Sequence, residues 1–222
     1  MLDALRRVVP TLALAGLLAS CGPGPGTVMT AAPVPEGWES ALLEDRAAKD
    51  EEMRLDPDSP IHPDDRSSFG GLSYWDPDPA YHLSGPIERY EQPERFTIIT
   101  TTGKERPCEK YGRILFELDG RRQELQVYRL LDAPDTATAT DRFFLPFKDA
   151  TSGTETYPAG RYVNLAPLGD GRYVLDFNRA HNPLCAYGRP ENYVCPVTPR
   201  ENRLAIRVEA GERGYRGAPA GS

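Results

Sequence analysis

Apolar and polar positions alternate along much of the second half of the chain. Arg95–Thr102, "RFTIITTT", places Phe96, Ile98 and Thr100 on one face, and "GRILFEL" places Ile114, Phe116 and Leu118 together. "QELQVYRLL" returns with Leu125 and Val127 on a common face, and the intervening Asp119-Gly120 is the residue pair of a tight hairpin. "RFFLPFKD", "GRYVNLAPL", "RYVLDFN" and "NRLAIRVEAG" follow, the last alternating Leu204, Ile206 and Val208 with Arg203, Arg207 and Glu209. A period of two with one wet face marks antiparallel strands. About seven short strands separated by turn residues predict a mainly β fold, an antiparallel sandwich or barrel-like sheet.

Only one stretch predicts a helix. Residues 36–54, "EGWESALLEDRAAKDEEMR", are helix formers without proline. Trp38, Leu42 and Met53 give a sparse apolar stripe, so this N-terminal helix should lie on the domain mostly solvated. Pro57, Pro60 and Pro63 end it. Phe69–Tyr81, "FGGLSYWDPDPAY", reads as extended chain and turns packed by large rings.

The first residues have another pattern. Arg6 and Arg7 precede an apolar run from Val8 to Ala19, then Leu18-Ala19-Ser20-Cys21. This pattern reads as an export signal too short to span a membrane, and its end resembles the bacterial lipobox, whose cysteine would take the lipid. Residues 1–20 are thus expected as signal peptide, and 21–35, rich in Gly and Pro, as a flexible tether. The single β-rich domain should cover 36–211, and 212–222 should be a disordered tail. The expected location is extracytoplasmic, lipid-anchored to the cell membrane or outer membrane through Cys21.

Composition narrows the partners. The 222 residues carry a formal net charge of −7, which argues against nucleic acid. The 20 glycines and 22 prolines fit many turns. Oligomeric state is not encoded legibly.

Gly169-Asp170-Gly171 separates two predicted strands. As a three-residue hairpin loop it pairs Asn164 with Asp176 and Tyr162 with Asn178. The long segments Lys148–Gly160 and Asp176–Pro196 then meet at one sheet end, and long ordered loops often carry function. The expected role is binding of a small molecule or an envelope partner there. The same groups could instead serve only to satisfy one another.

Of four cysteines, Cys21 belongs to the lipobox. Cys185 and Cys195 are the natural disulfide in an exported chain, closing a short loop and leaving Cys108 alone. A metal set of His181, Cys185 and Cys195 with Cys108 or His82 is the alternative, free thiols a third. No Gly-x-Ser-x-Gly, His-Glu-x-x-His or phosphate-cradling glycine loop is present, and no cofactor is expected. Asp149, Glu155 and Asp176 could form a carboxylate pair for a hydrolase, and an envelope scaffold without ligand is a further reading.

The blocks "FGGLSY", "LPFKDATSGTETYPAGRY", "LDFNRAHNPLCAY" and "CPVTPRENRL", in this order, resemble a bacterial and archaeal family, domain of unknown function 1684, over about Glu44 to Gly211. The family brings no established activity. The resemblance implies site candidates at Lys148, Asp149, Thr151, Glu155, Tyr157, Arg161, Asp176, Asn178, Asn182, Tyr187 and Asn202. In the family an arginine commonly stands at Lys148 and a tyrosine at His181.

Overall fold

The computed structural model describes residues 26–134, 136–138 and 142–215. In chain order the elements are β1 (Val28–Ala31), α1 (Trp38–Leu55), β2 (His82–Pro86), β3 (Glu88–Ile99), β4 (Glu105–Leu118) and β5 (Arg121–Leu130). Then come the short strands β6 (Phe143–Phe144), β7 (Pro146–Phe147), β8 (Arg161–Tyr162), β9 (Leu165–Pro167) and β10 (Arg172–Asp176). Short 3-10 turns fill much of the rest. Among the described residues no helix is long and apolar enough to cross a membrane.

The fold is mainly β. Seven strands run side by side in the order β6-β5-β4-β1-β2-β10-β9, and β3 adds to β4 off this path. The seam between the end strands β6 and β9 is bridged by the β7–β8 ladder, and the Val163 N–H donates to the Leu145 carbonyl beside it at 3.1 Å. The result is a nearly closed, barrel-like sheet around one core. Ile114, Phe116, Leu125, Val127, Leu175 and Phe177 meet there, with rings of Phe116 and Phe147 against Phe177.

The hairpin between β4 and β5 follows from its two turn residues. Asp119 and Gly120 both take positive φ, 53° and 67°, the backbone that matches strand twist in a two-residue loop. The Gly169–Gly171 loop sets the expected register: Leu175 pairs with Leu165, Val174 with Ala166 and Tyr173 with Pro167. Past Leu175 the strands part. Asp176 caps a 3-10 turn, Phe177–Arg179, and Tyr162 pairs with His181 instead of Asn178.

Two expectations about the ends are corrected. Val28–Ala31, inside the expected tether, is strand β1, and Met29 is fully buried in the core. This strand joins the halves of the sheet, parallel to β4 and antiparallel to β2. Residue 212 does not begin a tail, since Glu212 is 1% exposed and bridges to Tyr74. Cys21 and the signal peptide lie outside the described residues.

The segment 203–210 is a third departure. Its alternation holds, with Leu204, Ile206 and Val208 buried and Arg203, Arg207 and Glu209 exposed, yet it forms no strand. Isolated bonds replace a ladder: Leu204 N–H to the Lys148 carbonyl at 2.7 Å, and Ala150 N–H to the Ile206 carbonyl at 2.8 Å.

Met29→Ala should cost about 2–5 kcal/mol, the usual range for truncating a core methionine. Urea denaturation checks this, and a loss below about 0.5 kcal/mol would mean β1 adds nothing to the core.

Candidate functional site

The C-terminal segment is held by one side chain. Arg161, 1% exposed, donates from Nη2 to the Val208 carbonyl at 2.8 Å and from Nη1 to the carbonyls of Ala210 and Glu212, the latter at 3.1 Å. Its guanidinium lies against the rings of Trp75 and Phe147. Burial lowers its pKa to about 10, while Asp149, 3.6 Å away, works in the opposite direction. Asp149 in turn accepts from Thr151 Oγ1 at 2.9 Å, Ser152 Oγ at 3.1 Å and Val208 N–H at 2.7 Å. A buried charge is costly unless paired and hydrogen-bonded, and this pair is satisfied by backbone carbonyls on Arg161 and by two hydroxyls and one N–H on Asp149, with Arg161 Nε left without a partner.

Held in this way, the chain turns at Gly211 (φ 76°), where a Cβ would stand 2.5 Å from the Ala180 carbonyl oxygen. A side chain cannot occupy that space. The turn delivers the Glu212 carboxylate beneath α1. There it accepts from the Asn182 N–H at 3.0 Å, from the Tyr187 hydroxyl and from Lys49 Nζ. The neighbouring carboxylate and burial raise the Tyr187 pKa well above that of a free tyrosine, burial being the larger cause. Burial first, and then the Lys49 charge, lower the His181 pKa.

Helix α1 supplies the other wall. Trp38, Leu42, Arg46, Lys49 and Met53 follow one another three or four residues apart and so share one face. The outer three are buried. Trp38 Nε1 donates to Asp176 at 2.9 Å; Arg46 donates to the carbonyls of Trp75 and Asn178 at 3.0 and 3.2 Å and stacks on Tyr74. Two hollows flank Lys49. A polar one of about 150 Å³ is bounded by Arg46, Tyr74, Asn178, His181 and Glu212. A larger one of about 560 Å³ runs along the end of the helix, bounded by Ala48, Glu52, Met53, Asp58, Pro60, Leu184 and Tyr193. Asp45 and Lys49 line both, making them two lobes of one cleft. In the polar lobe the Tyr74 hydroxyl and Arg46 Nε are buried without a hydrogen-bond partner.

The two loops do meet. The Tyr157 hydroxyl lies 3.9 Å from Cys185 Sγ, Gly214 N–H donates to the Glu155 carbonyl, and Asn182 Nδ2 donates to the Arg213 carbonyl at 2.9 Å. Most of the expected site residues, however, face inward. Asn202, fully buried, accepts from Gln126 N–H at 2.8 Å and donates to the carbonyls of Gln126 and Pro146. Its amide thus acts as a peptide group on the free edge of β5. Asn178 bonds both backbone groups of Asp78 and the Asp176 carboxylate. Glu155 pairs with Arg207 at the surface. Lys148, half-buried, lies beside Arg203, and its pKa is lowered by burial more than by that charge. Asp149, Glu155 and Asp176 are therefore engaged by separate partners. Only Asn178, Asn182 and Tyr187 reach the cleft or the Glu212 network beneath it.

The expected disulfide is not formed. Cys108, Cys185 and Cys195 are all free thiols. Cys185 and Cys195 are neighbours, but the Cys195 sulfur accepts the Cys185 N–H at 3.3 Å. A hydrogen bond with Cys195, aided by one from Tyr157, lowers the Cys185 pKa to about 7, while that of Cys195 is raised by the same partner and by burial. Among the described residues no three His, Cys, Asp or Glu side chains gather as a metal set.

Arg46, Lys49, Tyr74 and Glu212 are the functional candidates that sequence reasoning missed. The signal for the first two was present: two cations occupy the middle of the apolar stripe of α1, facing the domain. For Glu212, nothing in "GERGYRG" distinguishes an anchor from a tail.

The model of the family described as "Protein of unknown function (DUF1684)" matches residues 67–213. The chain belongs to this family. Among solved structures, the DUF1684 chain is similar to the solution NMR structure of an uncharacterized protein of Haloarcula marismortui. The two are 37% identical with a TM-score of 0.60, over 80% of this chain and 95% of the other. No curated protein matches. The matched residues include Arg161, Asn202 and Glu212, whereas α1 precedes them.

Arg161→Met should destabilise this DUF1684 domain by about 3–5 kcal/mol, because it leaves Asp149 buried without its countercharge. Adding Asp149→Asn should cost less than the two single losses together. Urea denaturation measures all three variants, and strictly additive losses would show that the pair is not coupled.

Proposed function

We propose that this protein is an exported lipoprotein whose folded domain binds a small molecule in the cleft along α1. The larger lobe carries the reading. Its volume of about 560 Å³ falls in the range of small-molecule sites, and Met53, Pro60, Leu184 and Tyr193 give it the apolar walls such sites have. The polar lobe beside it is rigidly built, since Glu212 is fixed by the Arg161 clamp, and preorganised polar groups bind at lower entropic cost. The hydrolase reading has less support, because its three carboxylates each serve a different structural bond.

Export and anchoring rest on the sequence alone: the basic start, the short apolar run and Leu18-Ala19-Ser20-Cys21. With β1 beginning at Val28, seven residues after Cys21, the fold would stand at most about 25 Å from the lipid even on a fully extended spacer.

Two experiments test these parts separately. Ala48→Trp and Leu184→Trp should fill the larger lobe and weaken the binding of a neutral apolar fluorophore, Nile red, at least about tenfold (roughly 1.4 kcal/mol) at unchanged melting temperature. Equal binding by both variants, read by fluorescence titration, would move the site elsewhere. Cys21→Ala should transfer the protein from the membrane fraction to the soluble extracytoplasmic fraction. Membrane retention of the processed variant would remove the lipid anchor.

A further inference from the structure

The buried thiols of this domain differ in kind. Cys108, fully buried, has its pKa raised to about 11, chiefly by burial. Cys185 and Cys195 are almost as enclosed, at 4% and 6% exposed. Cys185 nevertheless moves the other way, to about 7. What differs is the set of groups around the sulfur. Cys185 and Cys195 are hydrogen-bonded to each other through their side chains, and the Cys195 sulfur also accepts the Cys185 N–H at 3.3 Å. The Tyr157 hydroxyl stands 3.9 Å from Cys185 Sγ. Thr101, whose hydroxyl accepts the Cys195 N–H at 3.3 Å, adds a smaller effect of the same sign.

The pair joins two separate segments. Cys185 lies on the 3-10 turn Leu184–Tyr187, and Cys195 on the chain that bonds back to Ile99 and Thr101. Tyr157 and Tyr162 are the phenols that act on the two sulfurs, and burial, the largest cause, keeps both protonated. They can share hydrogen bonds with a thiolate but not repel it. A thiolate is the nucleophilic form of cysteine, and hydrogen bonds that favour it make one thiol reactive among others. A second thiol within hydrogen-bonding reach can then complete the oxidation as a disulfide.

We propose that Cys185 and Cys195 form a reactive dithiol, in which hydrogen peroxide or another small hydroperoxide oxidises Cys185 and Cys195 resolves the product. The Cys185 thiolate attacks one peroxide oxygen. An S–O bond forms, the O–O bond breaks, and the departing hydroxide takes up a proton and leaves as water. The Cys195 sulfur then attacks the Cys185 sulfenic acid. An S–S bond forms, the S–O bond breaks, and the hydroxide leaves with the Cys195 proton as a second water. Two thiols are oxidised, and one peroxide is reduced. The free thiols of this structure are the reduced state of the pair. This chemistry does not depend on ligand binding in the α1 cleft.

The test treats the reduced full-length protein, freed of reductant, with equimolar hydrogen peroxide and maps its peptides by mass spectrometry against time. The cross-link between Cys185 and Cys195 should form at least about tenfold faster than any oxidation of Cys108. This comparison needs no variant. Cys195→Ser should stop at a sulfenic acid on Cys185, which dimedone labels. Tyr157→Phe should slow cross-linking at least about threefold at unchanged melting temperature. Cys185 left as a thiol, Cys108 oxidised as fast, a dimedone adduct on Cys195 in Cys185→Ser, or a rate indifferent to Tyr157 each overturns the proposal.

Discussion

A buried arginine takes the place of a β-ladder in this fold. The segment 203–210 has the alternation of a strand but no strand partner, so its carbonyls would be orphaned in the interior. Arg161 supplies N–H donors to two of them, Val208 and Ala210, and to Glu212 just beyond, and Asp149 takes the Val208 N–H. A lysine could not do this, because only the planar guanidinium presents several donors in a fixed fork. The cleft depends on the arrangement. Were the clamp opened, Gly211 would lose its reason to turn, and Glu212 would no longer reach Lys49 and Tyr187.

Helix α1 is attached differently. It buries Trp38, Leu42 and Met53, while Arg46 and Lys49 interrupt the stripe. What holds the middle of the helix is therefore polar: carbonyl contacts from Arg46 and one ion pair from Lys49. Polar seams leave space that an apolar seam would close, because long side chains bridge to specific acceptors and do not fill volume. The two lobes lie on either side of Lys49 for that reason.

Much of the sheet was legible locally. Asp119-Gly120 specified its turn through positive φ, and the Gly169–Gly171 loop specified the β9–β10 register down to individual pairs. The rim of the site was less legible. Val28–Ala31 is four residues among glycine and proline, and its place between β4 and β2 is set wholly by distant partners. Alternation in 203–210 correctly announced a buried face, but a period of two reports a face and not a ladder. The polar residues of the family blocks looked like a binding surface because burial of a polar group cannot be read from its type. Asn202, Asn178 and Thr151 are hydrogen-bonded inside the molecule, Asn202 to the edge of β5, Asn178 to the backbone of Asp78 and Thr151 to Asp149 and Thr156.

The division of labour follows from where these residues sit. The clamp, the Asn202 pin and Glu212 all fall within the family match, as do Leu184 and Tyr193 on one wall of the cleft. Ala48, Glu52, Met53 and Asp58 on the facing wall precede it. A scaffold whose interior polar side chains hold backbone groups and one another tolerates little change, since losing one of them orphans a buried partner. The exposed face of α1 carries no such obligation. Changes at Glu52 or Asp58 alter the charge and shape of the larger lobe without touching the clamp. The charge along the cleft is therefore set by α1 and the turn that follows it, and the position of the opposite wall by the rest of the domain.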